Sequence, residues 1–362
     1  MRSDYFKRPL NAERIPEAIS RLKLGNVRIM EVCGTHTMSI AKAGIKQLLP
    51  ANVKLISGPG CPVCVTPTGV INEILSLSEY DDIVIATYGD MMRVPGTRQG
   101  DSLQRRKAQG ARVEIVYSAV DAVELAERMP DKQVVFLGVG FETTAPGTGA
   151  AIEIAFERRI HNFFILPMLK LVEPSLRALV AMEDFNIDGF LCPGHVATII
   201  GEKGFTFLTE EYKMPSVICG FEPGDIIVSI YRLLLQISQK TPSLENEYIR
   251  AVSKEGNQLA QETIDKYFVP CDSIWRGLGP IKKSGLAIRE EYAMFDAVRR
   301  FNINMDNNQG EGACRCGDVI KGKSEPADCP LFGRVCVPEN AVGPCMVSSE
   351  GACAAYYKYQ QI

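Results

Sequence analysis

Sulfur carries most of the chemistry this sequence offers. Cys61 and Cys64 stand two residues apart in ISGPGCPVCVTP, a loop stiffened by three prolines and opened by two glycines. A Cys-x-x-Cys just before a helical pattern (TGVINEILSLS) has the geometry of a redox dithiol. It is also half of a zinc knuckle, although the tail supplies no second Cys-x-x-Cys to complete one. Cys33 precedes His36 by three residues in CGTHT. A thiol beside an imidazole at a strand-to-helix turn is expected to have a lowered pKa, which suits a nucleophile or a soft metal ligand. Six more cysteines crowd the last fifty or so residues, and four of them, Cys314, Cys329, Cys336 and Cys353, read C-x14-C-x6-C-x16-C. Ferredoxin runs place three cysteines two apart, so this spacing differs from theirs, yet four thiolates on a long irregular segment can wrap an iron–sulfur cluster. Cys316 in place of Cys314, Cys345 in place of Cys353, or zinc in place of the cluster remain alternatives on spacing alone.

The elements that must position these residues are legible as a rhythm. VRIMEV, VKLIS, DIVIAT, RVEIVYS, QVVFLGV, NFFILPM, DGFLC and SVICG are short, nearly continuous apolar runs separated by loops and helical patterns. Such runs predict parallel strands buried on both faces, joined by right-handed crossovers. The expected fold is α/β, with two small parallel-sheet domains facing a cleft, 23–125 and 126–225. A third, helical and irregular domain takes 226–362 with 1–22. In parallel sheets ligands bind at the carboxyl ends of strands. Cys33, His36, Cys61, Cys64, Asp90, Arg93, Glu142, Thr143, Cys192, His195 and Glu222 all fall at those ends.

Plainer readings exist for several. Thr143 suits a helix cap. Cys192, Cys219 and Cys271 suit small buried residues, and His161 a structural role. GVGFET lacks the third glycine of a dinucleotide fingerprint. The segment after Asn302 is too poor in large aliphatic residues to fold on a core of its own, so its six cysteines are expected to tie it together. The whole chain of 362 residues is 46% hydrophobic and 23% charged, with a formal net charge of −3, which gives no basic field for nucleic acid. No apolar run approaches the length of a membrane span, and the first twenty residues lack the apolar core of a signal peptide. A cytoplasmic location is expected, and there twelve cysteines read as metal ligands or redox thiols rather than a disulfide framework.

Taken together, CGTHT, GPGCPVC, YGDMMRVPG, GFETTAPG, CPGHV and the tail CRCGD…DCPLFGRVC…GPCMVSSEGAC resemble the HypD family of NiFe-hydrogenase maturation factors over nearly the whole chain. The resemblance implies two α/β domains and a third that carries a 4Fe–4S cluster on Cys314, Cys329, Cys336 and Cys353. It implies that Cys33 holds iron jointly with a cysteine of a small partner, HypC, while Fe(CN)2CO is built. HypE, loaded with thiocyanate by HypF, would deliver cyanide, and the Cys61/Cys64 dithiol would supply the electrons. His36 and Asp90 would position groups or move protons in the cleft. Some members carry a second histidine where Met38 stands here, so this sequence offers no imidazole at that place. The tail and dithiol are also similar to ferredoxin–thioredoxin reductase, so the alternative function is a cluster-dependent thiol–disulfide oxidoreductase.

Overall fold

The computed structural model describes residues 15–98, 100–306 and 312–359. All eight expected strands form: β1 (Val27–Glu31), β2 (Val53–Ser57), β3 (Ile83–Thr87), β4 (Val113–Ile115), β5 (Gln133–Gly140), β6 (Phe163–Leu169), β7 (Gly189–Pro193) and β8 (Ser216–Cys219). Three more follow: β9 (Leu244–Asn246), β10 (Phe268–Trp275) and β11 (Gly279–Ile288). One parallel sheet has the order β2-β1-β7-β8-β9, a second has β4-β3-β5-β6, and β10 and β11 form an antiparallel ribbon.

The continuous apolar runs are explained by burial on both faces. Along β5, Val134 and Phe136 enter one apolar cluster, and Val135 and Leu137 enter another. Along β1, Met30 joins the second of these clusters and Ile29 a third. The cluster holding Met30, Val135 and Leu137 also holds Cys61, Cys64, Trp275, Cys316 and Cys345. The two sheets and the cysteine-rich tail therefore share one core.

The strands are not divided in sequential order, which corrects the expected grouping into the first four and the last four on either side of residue 125. The chain leaves the first sheet after β2, builds the whole of the second sheet as β3–β6, and returns for β7–β9. Long-range bonds fix the return. The Asp188 carboxylate accepts from Arg28 N at 2.7 Å, and Arg28 Nε donates to Asn186 O at 2.8 Å, setting β7 beside β1. The helical character expected for the first part of the third domain is also corrected. α-Helices run only over Pro223–Gln239, Gln258–Tyr267 and, briefly, Ala297–Phe301, with the ribbon and a 3-10 helix, Glu290–Phe295, between the last two.

One buried ion pair supports the loop after β8. Asp225 is fully buried near the start of the helix Pro223–Gln239 and is held bidentately by Arg250, with Nη1 2.9 Å from Oδ1. Removing one partner of such a pair leaves a charge without water or counter-ion. Arg250→Met is expected to destabilise the fold by about 3–5 kcal/mol, read as a lower denaturant midpoint; an unchanged midpoint would contradict this role.

Candidate functional site

Cys33 lies two residues past the end of β1 and is the N-cap residue of the helix Gly34–Lys42, in extended backbone conformation. Two close backbone approaches fix it. Gly34 N donates to Gly60 O at 3.1 Å, so the Cys61–Cys64 loop lies on top of the β1 turn. A Cβ at Gly60 would stand 2.0 Å from Val32 O, and one at Gly34 would stand 2.3 Å from Glu350 O. Neither position tolerates a side chain. Cys33, Gly60, Phe141, Thr143, His195 and Glu350 are among the residues lining a cavity of about 120 Å³. The loops after β1, β2, β5 and β7 thus meet the tail at one place, as the strand-end rule predicts.

The electrostatics of Cys33 correct the sequence reading. Burial, and next the negative charge of Glu350, push its thiol up to about 12. His36 offers no help. It is fully buried, its Nε2 faces Cys219 O at 3.2 Å and Gly220 O at 3.0 Å, and its ring stacks on Phe221 at 4.6 Å. Two carbonyl acceptors require the proton on Nε2. Burial lowers the imidazole pKa to about 4, so the ring is neutral. His36 anchors the β8 loop against the Cys33 helix instead of activating the thiol. Its Nδ1 has no hydrogen-bond partner among the described residues. The exposed histidine of the pair, His195, lies over the same Phe221 ring at 3.7 Å and lines the cavity with Cys33.

Cys61 and Cys64 are buried and joined as a disulfide. Asp90 reaches them through the tail. Its Oδ2 accepts from Ser348 Oγ (3.1 Å), Ser349 N (2.8 Å) and Ser349 Oγ (2.7 Å), while Ser348 Oγ lies 3.3 Å from Cys61 Sγ. Thr35 Oγ1 donates to Glu350 Oε1 at 2.7 Å. The turn Ser348–Glu350 is therefore clamped between the disulfide and the Cys33 helix.

Beyond it, Cys314, Cys316, Cys329, Cys336, Cys345 and Cys353 line a single pocket with Val319, Leu331, Phe332 and Met346. Cys316 and Cys345 have their sulfurs 2.6 Å apart, and Cys336 Sγ accepts from Val342 N at 3.3 Å. Among the described residues no group of three or more His, Cys, Asp or Glu side chains closes around one point to hold a single metal ion.

A sequence model of HypD, described as the hydrogenase formation hypA family, matches residues 11–360. The chain belongs to the HypD family. It is 46% identical over 336 residues to the hydrogenase maturation factor HypD of Escherichia coli, covering 92% of this chain and 90% of that one. It is 44% identical over 339 residues to HypD2 of Bradyrhizobium diazoefficiens, covering 92% and 89%. A putative hydrogenase expression/formation protein of Methanocaldococcus jannaschii is 44% identical over 340 residues, covering 94% of both chains. This HypD-family chain is a hydrogenase maturation factor. No helix among its described residues is long and apolar enough to cross a membrane.

Of the residues singled out in this HypD-family sequence, Cys33, Cys61, Cys64 and Asp90 meet around the tail turn, and the six tail cysteines gather beside them. Thr143 lines the cavity rather than capping; the N-cap is Thr144, without a side-chain cap bond. Glu142 is buried, accepts from Val172 N at 2.8 Å, and is pushed up to about 7 by burial. Arg93 touches the tail, donating to Val347 O at 3.4 Å. Cys192 and Cys219 are buried as small residues, whereas Cys271 is half-exposed. Glu350 was missed; the acid in SSEGAC, three residues before Cys353, was its available signal. Because the Glu350 charge opposes ionisation of Cys33, Glu350→Gln is expected to move the pH midpoint of Cys33 alkylation downward. Mass spectrometry of the Cys33 peptide reads it, and a midpoint that stays or rises would contradict the coupling.

Proposed function

We propose that this chain is the scaffold on which, together with HypC, the Fe(CN)2CO group of a NiFe hydrogenase is assembled in the cytoplasm. Cys33 holds the iron, Cys61 and Cys64 deliver electrons, and Cys314, Cys329, Cys336 and Cys353 hold a 4Fe–4S cluster. The observation that carries this reading is the single turn Ser348–Gly351, which reaches the helix capped by Cys33, the disulfide and the cysteine pocket. Glu350 packs on Gly34, Ser348 on Cys61, and a Cβ at Gly351 would stand 2.1 Å from Cys345 O.

The donor set fits such a cluster. It consists of thiols in an apolar pocket, with a backbone N–H directed at one sulfur, features that tune iron–sulfur potentials. When bound, the cluster supplies transfer of single electrons.

Cys33 enters as a neutral thiol in a low-dielectric pocket, so it has little standing thiolate to offer water or oxidants. A soft cation deprotonates a coordinating thiol outright, and iron carrying cyanide and carbonyl ligands favours a thiolate partner. Iron capture at Cys33 therefore releases one proton. An N-terminal cysteine of HypC provides the second thiolate. Cyanide arrives as a thiocyanate on HypE. Its release needs two electrons: HypE–S–CN plus the two thiols of Cys61 and Cys64 gives HypE–SH, the Cys61–Cys64 disulfide and HCN. The S–CN bond breaks, one S–S bond forms, and the two thiol protons go to the HypE sulfur and to cyanide. Two electrons and two protons return the disulfide to the dithiol.

Cys33→Ala, Cys61→Ala and Cys64→Ala are each expected to reduce hydrogenase maturation to background in a complementation assay. Full activity in all three would sink the proposal. Wild-type protein isolated with HypC is expected to show infrared bands of cyanide and carbonyl, and Cys33→Ala is expected to lose these while keeping about four irons and four sulfides. A cluster without any such bands in wild type would favour the thiol–disulfide oxidoreductase.

A further inference from the structure

The carboxyl end of β6 carries a group that no motif marked. Lys170 follows Leu169 there, bridges to Gly285 of the ribbon and is 4% exposed. Its Nζ reaches across that glycine to the facing strand, donating to Ser273 Oγ and to Ile274 O, the latter at 2.8 Å. The Trp275 ring centroid lies 5.7 Å from it. Gly285 is also the ladder partner of Cys271. A Cβ at Gly285 would stand 2.8 Å from Ser273 Cβ and 3.3 Å from Cys271 Sγ. The glycine therefore leaves open the floor between the lysine and the half-exposed thiol.

Lys170, Cys271 and Gly285 line one cavity of about 160 Å³, whose walls include Val70, Met168, Leu286 and Val298. It shares no lining residue with the Cys33 cavity or with the cysteine pocket. An apolar cavity of about 150 Å³ admits a benzene-sized molecule. Largely apolar pockets with a few convergent polar groups are the usual form of small-molecule sites. The ammonium lining this one lacks an anion. Its partners are two neutral oxygens and a ring face, and among the described residues no carboxylate pairs with it. Burial lowers its pKa to about 8, which leaves it charged at neutral pH. A buried cation without a counter-charge is costly. The three acids on the cavity wall do not supply one. Asp272 accepts from Lys283 N at 2.9 Å, and Asp296 accepts from Val298 N at 2.8 Å and lies 3.5 Å from Arg299 Nε. Asp306, the third, is exposed.

We propose that this cavity is a binding site for a small organic monocarboxylate, whose carboxylate pairs with Lys170 and whose apolar body fills the space over Gly285. The ligand supplies the anion that the protein withholds, through a charge-assisted bond shielded from water. Asp272, Asp296 and Asp306 oppose a second negative charge, which selects a monoanion. Thr66 and Pro67, just after Cys64, form part of the same wall, so an occupant touches the disulfide loop. The site is additional to the chemistry proposed for Cys33 and stands without the cluster reading.

Cys271 lines the cavity, is half-exposed and so reports its occupancy. The experiment follows alkylation of Cys271 by iodoacetamide in anaerobically purified holo-protein, by mass spectrometry of its peptide, against rising butanoate, butan-1-ol or succinate. Butanoate is expected to slow the labelling saturably. Butan-1-ol offers the chain without the charge, and succinate adds a second charge. Each is expected to need at least about tenfold more than butanoate for the same protection. Lys170→Met keeps an apolar chain and removes the ammonium. It is expected to weaken protection by butanoate at least about tenfold and to leave protection by butan-1-ol unchanged. The three probes on wild type keep the test decisive if the variant fails to accumulate. No protection by butanoate, equal protection by butan-1-ol or by succinate, or an unchanged butanoate response in Lys170→Met would overturn the inference. None of these outcomes bears on the iron and cluster readings, which are tested separately.

Discussion

The arrangement depends on a turn of four residues, Ser348–Gly351, held against two loops that have no room for side chains. Asp90 clamps it with three hydrogen bonds from Ser348 and Ser349, and Gly34 lets the Glu350 backbone approach the Cys33 helix. Gly60 does the same for the disulfide loop. Without that contact the tail would have little reason to fold, because it lacks an apolar core of its own. With it, Cys316 and Cys345 join the core shared by both sheets. A segment that resembles a linker in composition is made part of the central packing by backbone proximity and a few polar bonds.

Burial then decides which chemistry each sulfur keeps. Cys33 is raised by desolvation and by Glu350, and His36 stays neutral because burial disfavours the imidazolium, even though its one proton is directed at two carbonyls. The pair is the opposite of a thiolate–imidazolium nucleophile. Such a thiol is quiet until a cation displaces its proton, which suits the proposed role of holding iron. The neighbouring disulfide, wholly buried, is reached through Ser348 rather than directly from water. In this arrangement Asp90 orders the turn; it does not face the cavity as an acid or base.

The strands were legible because burial on both faces leaves an unbroken apolar run, as in QVVFLGVG and FFILPML. Their assignment to sheets was not, because periodicity records burial and says nothing of partners. The Arg28 bonds to Asn186 and Asp188 that bring β7 to β1 span about 160 residues. The ribbon escaped notice because Pro270, Asp272, Lys282 and Lys283 spoil its alternation, and its burial pattern is irregular. At the site, motif spacing singled out Cys33, Cys61, Cys64 and the tail cysteines, which the fold brings to neighbouring places. It misread His36, whose partners lie some 180 residues away, and it missed Glu350, which matters only through what the fold places beside it.

The central claim is that the tail cysteines and the Cys61–Cys64 disulfide form one electron path. The most direct measurement is thiol counting by alkylation and mass spectrometry after anaerobic holo-protein is exposed to a one-electron donor that does not itself reduce disulfides, in wild type and in Cys329→Ala. The expected result is alkylation of both Cys61 and Cys64 in wild type and of neither in Cys329→Ala. Equal labelling in the two proteins, or none in a wild type whose cluster is reduced, would contradict it.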